Sequence, residues 1–115
     1  MSSRYAVAVT DSRPAWSIEP IWVVEATYAP DAAETRPAVR PEHLARIAQL
    51  KADGTILEAG GYLDLSTALI LVRAASEAEA IALFRDDVYM RAGVWVEVRA
   101  RPYGRVALEG ESAGA

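Results

Sequence analysis

This sequence predicts an α+β fold whose elements run β-α-β-β-α-β, with the strands forming an antiparallel sheet. Three observations carry that expectation. Four short runs are rich in β-branched and aromatic residues: 21–28, 55–59, 68–73 and 94–99. Two stretches between them, 41–52 and 77–85, place apolar residues at helical spacing. Short turn signals separate the runs, and nothing repeats. The order is that of the split βαβ, or ferredoxin-like, arrangement.

Length and charge bound the function. A chain of 115 residues supports one core. Its 12 basic and 16 acidic side chains are interleaved, with a net charge of −4. The one-sided basic stripe of nucleic-acid binders is missing. No apolar run approaches the roughly 20 residues of a membrane span, and no secretory leader is evident. The chain contains no cysteine, which excludes disulfides, thiol catalysis and thiolate metal sites. A cytoplasmic protein without nucleic-acid or membrane partners is expected.

Residues 1–20 read as an N-terminal extension, with Tyr5–Thr10 a candidate extra edge strand. Ile21–Tyr28 is the clearest strand, bounded by Pro20 and Pro30. Ala29–Val39 is polar and punctuated by proline, so it reads as a loop. The first helix is expected over 41–52, with Pro41 at its first position, where no N–H is needed. Leu44, Ile47, Ala48 and Leu50 supply its apolar positions, and Gly54 its left-handed stop. Thr55–Ala59 is the second strand, ended by a turn at Gly60-Gly61. Ala68–Arg73 is the third.

Ser76 and Glu79 form a capping box at the start of the second helix, which buries Ala80, Ile81 and Phe84. A short helix follows Asp86-Asp87. Val94–Arg99 is the fourth strand, with Pro102 limiting its extent. The main domain spans 21–106, and 107–115 is a flexible tail. Ile21, Val23, Leu69, Leu71, Val94 and Val96 cannot all reach one helix layer. The open sheet face is therefore expected to pack against a second copy as a homodimer.

His43 is the only histidine, and hence the one side chain with an ordinary pKa near neutrality. On the first turn of the expected helix, the dipole would disfavour an added positive charge and keep the imidazole neutral. Its plain alternative is a surface histidine. Asp87 could orient such a ring, or simply cap the short helix after it. Arg40 could hold a carboxylate or phenolate, or join a surface salt bridge. Tyr62, Tyr89 and Trp95 could line a pocket for a planar ring or serve only in packing. Gly60 and Gly61 could face a ligand or only turn the chain. One histidine with scattered carboxylates is a poor zinc set, so no metal and no cofactor is expected. Ser66 lacks a nucleophile elbow, and no phosphate loop precedes a helix.

Arg40-Pro41-Glu42-His43-Leu44, with Asp87-Val88-Tyr89 and Ala92-Gly93-Val94, resembles the YCII-related (YciI-like) family from about residue 21 to 106. The resemblance implies a dimeric α+β barrel with a histidine–aspartate active site, here His43 and Asp87. Val88 departs from the family's proline, which puts the presentation of Asp87 in doubt. Gly61-Tyr62 departs from its Gly-Pro turn and alters the pocket wall. One branch of the family resembles enzymes that eliminate chloride from hydroxylated aromatics. Three functions follow: an acid–base lyase or isomerase acting on a small aromatic or enolisable metabolite; a non-catalytic small-ligand binder or accessory subunit; or a cofactorless oxygenase-like barrel.

Overall fold

The structure is a computed structural model that describes residues 13–111. Four strands and three helices follow in order: β1 (Trp16–Tyr28), α1 (Ala32–Ala52), β2 (Ile56–Gly61), β3 (Thr67–Val72), α2 (Glu77–Arg85), α3 (Val88–Arg91) and β4 (Trp95–Leu108). The sheet has the order β2-β3-β1-β4, and every neighbouring pair is antiparallel. This is the expected α+β, ferredoxin-like architecture. The candidate strand at Tyr5–Thr10 lies outside the described residues.

α1 starts earlier than the prolines suggest. It takes in Ala32–Val39, expected as a loop, and carries Pro37 and Pro41 in its interior. An interior proline costs about 3 kcal/mol of helix propensity. Both prolines, four residues apart, lie on the exposed side of the helix, where carbonyls deprived of a partner can turn to water. The opposite side buries Ala32, His43 and Ile47. His43 is consequently mid-helix, and the helix-terminus argument for its neutrality does not apply. Gly54 closes α1 with φ +86°, as expected.

Two further boundaries move. Gly60 and Gly61 are not a turn: they belong to β2 and pair with Leu69 and Ala68 of β3. The turn falls at Tyr62–Ser66, where Leu65 adopts a left-handed φ of 58°. β4 runs through Pro102 to Leu108, taking in residues expected as tail. It is an edge strand, paired only with β1, and edges accommodate a residue without an N–H. β1 correspondingly reaches back through Pro20 to Trp16. Beyond Trp22 it has left β3 behind and pairs with β4 alone.

Trp16–Ile21 and Tyr103–Leu108 thus form a two-stranded arm. On one side of the arm Trp16, Ile18, Val106 and Leu108 are all exposed. On the other, Glu19 bridges Arg73 and Arg105.

The core lies between sheet and helices, with Val24, Ala26, Ile70, Val72, Phe84 and Trp95 at its centre. Val94, expected on the open sheet face, belongs to this core. It precedes β4 in the turn closed by Gly93 (φ +76°), and its N–H bonds the Tyr89 carbonyl. Ile21 is also buried within the chain. The open face keeps Val23, Leu69 and Leu71, each partly covered. Beside them lies an ionic group in which Glu25 meets Arg99 and Arg101. That face is mixed rather than uniformly apolar. No helix among the described residues is long and apolar enough to cross a membrane.

Candidate active site

Arg36, Arg40, His43 and Ile47 recur at steps of four, three and four along α1, so they share one face. All four line a cavity of about 340 Å³. β2, β3 and the turn between them supply the facing wall, including Gly61, Leu65 and Ile70. A register shift between Thr27 and Tyr28 matters here. It sets Tyr28 opposite Trp95, and both side chains line the cavity.

Asp87 comes from the turn between α2 and α3. As N-cap of α3, its carboxylate accepts the Tyr89 N–H at 2.9 Å through Oδ2. The same oxygen accepts from His43 Nδ1 at 2.7 Å, and Oδ1 accepts from Arg46 Nη1 at 3.2 Å. Arg46 also donates to the Leu83 carbonyl at 2.5 Å and lies over the Phe84 ring. Asp87 is wholly buried and His43 is 7% exposed. The capping role and the histidine-orienting role, weighed as alternatives, are both filled by one carboxylate. Val88 in place of proline leaves Asp87 anchored by three donors.

The electrostatics follow from these contacts. Burial works against the Asp87 charge. The hydrogen bonds from His43 and Tyr89, with the positive charges of His43 and Arg46, outweigh it and hold the carboxyl below its usual range. An ionised carboxylate only accepts, so the hydrogen sits on Nδ1 of His43. The neutral ring then presents its lone pair at Nε2, which has no hydrogen bond among the described residues. A proton gained at Nε2 makes an imidazolium beside the Asp87 carboxylate, which Arg46 shares.

Packing fixes the ring. Tyr89 stacks on the imidazole at 3.7 Å between centroids, 8° from parallel. Trp95 meets His43 edge to face at 5.1 Å and Tyr89 at 5.2 Å. Burial raises the Tyr89 hydroxyl pKa against the opposing charges of Arg36 and Arg40, so the phenol stays protonated at neutral pH.

Every expected site residue except Asp87 lines the cavity, and Asp87 stands behind His43. Tyr62 is half exposed at the rim. The two glycines differ. A Cβ on Gly61 would lie 2.7 Å from the Tyr28 hydroxyl, whereas one on Gly60 would meet nothing within 4 Å. Arg36, Arg46 and Tyr28 were not singled out in the sequence. The four-residue step from Arg36 to Arg40 was a usable signal, hidden by reading 29–39 as a loop.

The chain matches the YCII-related domain over residues 21–103. It belongs to the YCII-related family. Protein YciI of Escherichia coli O6:H1 is 30% identical over 96 residues, covering 75% of this chain and 98% of the relative. An uncharacterized protein of Haemophilus influenzae is 30% identical over 95 residues, covering 74% and 97%. Among solved structures, 5-chloro-2-hydroxyhydroquinone dehydrochlorinase from Burkholderia phenoliruptrix, in complex with 2,5-dihydroxybenzoquinone, superposes with a TM-score of 0.63. That match covers 72% of this chain and 92% of the enzyme at 20% identity, a likeness of fold. The buried histidine–aspartate pair implied by the family resemblance is present in this chain.

Proposed function

We propose that this YCII-related protein is an acid–base enzyme of lyase or isomerase type, acting on a small aromatic or enolisable metabolite. One observation carries the reading: a buried, ionised Asp87 holds His43 through Nδ1 at 2.7 Å, leaving Nε2 as the basic atom of a ring that lines a cavity. His43 Nε2 takes a proton from a carbon or hydroxyl of the substrate. The electron pair left behind either forms an enolate that is reprotonated at another carbon, or expels a leaving group that departs with the proton the imidazolium gives up. Asp87 sets the tautomer and offsets the imidazolium charge, and Tyr89 and Trp95 hold the ring plane. The structurally similar dehydrochlorinase, whose name records an elimination from a hydroxylated ring, lends the reading support.

The test is proton exchange. In D2O the wild type is expected to accelerate exchange at the acidic carbon of enolisable ketone and hydroquinone probes, followed by NMR. His43→Gln is expected to lower that rate by about 10²- to 10⁴-fold. Equal rates for wild type and variant would sink the proposal. The binding-only reading draws on the capping bond from Asp87 to the Tyr89 amide, which gives the carboxylate a structural task. Saturable ligand binding with no exchange in the wild type would establish that reading instead.

The proposal extends to a homodimer joined through the open sheet face. Val23, Leu69 and Leu71 would form its apolar centre, with Glu25, Arg99 and Arg101 beside them. The exposed arm side chains, Trp16, Ile18, Val106 and Leu108, add to the apolar surface that one copy leaves uncovered.

A further inference from the structure

The cavity's charge is lopsided. The sequence has more acidic than basic side chains, yet no aspartate or glutamate lines the cavity, while Arg36, Arg40 and His43 do. Most described arginines are neutralised nearby: Arg46, Arg73, Arg91, Arg99, Arg101 and Arg105 each reach a carboxylate. Neither Arg36 nor Arg40 has a carboxylate partner among the described residues. The charges of both bear on the Tyr89 hydroxyl, a protonated phenol. Two guanidinium groups one helical turn apart, beside a cavity free of carboxylates, form a site prepared for an anion.

A second observation comes from deeper in the cavity wall. Trp95 is 2% exposed, and its indole Nε1 is buried without a hydrogen-bond partner. An indole nitrogen only donates, and a buried donor left unmatched is costly. The same side chain touches His43 and Tyr89 edge to face. Trp95 lines the cavity, so its indole N–H reports on what enters it. The remaining wall, including Leu44, Ile47 and Ile70, is apolar and suits the faces of a flat molecule.

We propose that the cavity selects a small planar anion carrying at least two oxygens. Its anionic oxygens bind Arg36 and Arg40, and its flat face lies along the apolar wall. The inference names the substrate class of the proposed acid–base site and rests on that reading for its chemistry, but its binding prediction stands apart from turnover.

The probes are 4-hydroxybenzoate and its neutral isostere 4-hydroxybenzamide, titrated into ¹⁵N-labelled full-length protein and followed by NMR. The anion is expected to bind at least about tenfold more tightly than the amide, the weight of one charge-assisted contact. Arg36→Gln combined with Arg40→Gln is expected to erase that preference while amide binding persists. The Trp95 indole N–H resonance is expected to shift on saturation, a readout that needs no substitution in the core. Equal affinities for the two probes, no saturable binding of either, or an unmoved indole resonance would each overturn the inference. His43→Gln separates the two readings. Anion preference retained with proton exchange lost supports both. Exchange intact in a wild type without anion preference removes this inference and leaves the acid–base proposal standing.

Discussion

The site and the arm break the same rule in opposite directions. Behind His43 one charged group, Asp87, is buried, and it is matched: it receives His43, Arg46 and the Tyr89 amide. On the arm, apolar side chains are exposed, and Trp16 stands 69% and Val106 65% open. The arm's charged residues lie on its other side, paired as Glu19 with Arg73 and Arg105. A buried charge is kept only where its partners compensate the desolvation. An exposed apolar strip is unfavourable unless something covers it. The first departure is the basis of the proposed acid–base chemistry within one chain, and the second belongs with the proposed association between chains.

That contrast can be broken at its strongest point. Asp87→Ala strips the partner from His43 and Arg46 and the cap from α3 together, and is expected to destabilise the fold by about 3–5 kcal/mol. Urea unfolding followed by circular dichroism measures it; a loss under about 1 kcal/mol would mean that Asp87 is not an integral part of the core. Replacing Leu69 and Leu71 with glutamate on the open face is expected to leave the chain folded and abolish the proposed dimer. Light scattering with matched circular dichroism decides this, and a variant that stays dimeric removes that face as the interface.

Acidity separates the regions less sharply. The folded-state pKa of Asp87 is depressed below its ordinary value of 3.8. Its ionised form thus adds stability that is fully present above that value and is lost as pH falls through the lower folded value. Glu19 on the arm is depressed too, first by its hydrogen bond to Arg73, though it is far less buried. Wild type is expected to weaken as pH drops from about 5 to 3, and Asp87→Asn, already weaker at neutrality, to weaken less. Parallel pH–stability curves for the two would assign the acid sensitivity to other carboxylates.

The smallest expected effect compares two adjacent glycines in the cavity wall. Gly61→Ala forces the Tyr28 ring to move and is expected to cost about 1–3 kcal/mol, whereas Gly60→Ala stays within about 0.5 kcal/mol. Thermal melts of the pair test it; equal shifts would mean that Tyr28 yields freely.

Much of this was legible in the chain, unevenly. The strands at 21–28 and 68–73 could be read because local pattern and tertiary role agree there. Ser76 caps α2 through the Glu79 amide as its spacing predicts. The His43–Asp87 pair came from the family resemblance, because 44 residues of intervening chain carry no local sign of contact. The early start of α1 was hidden because proline's local cost is visible and its tertiary offset is not. With that turn went Arg36. The alignment of Trp95 with Tyr28 was illegible for a similar reason, since a register shift belongs to two strands and to neither sequence alone. The long β4 was missed because Pro102 is forbidding only in a central strand, and strand order is a property of the whole sheet.

The position of β1 between β3 and β4 sets an order of assembly. β2 and β3 adjoin in sequence and can close a hairpin early, whereas Trp16 pairs with Leu108 across most of the described chain. Such distant pairing carries a loop-closure cost before any contact compensates it, so the β1–β4 ladder is expected to form after the β2–β3 hairpin. Asp87 precedes that ladder in the chain and Trp95 begins it. A late β4 is then expected to bring Trp95 over the His43 ring after the β2–β3 hairpin has closed.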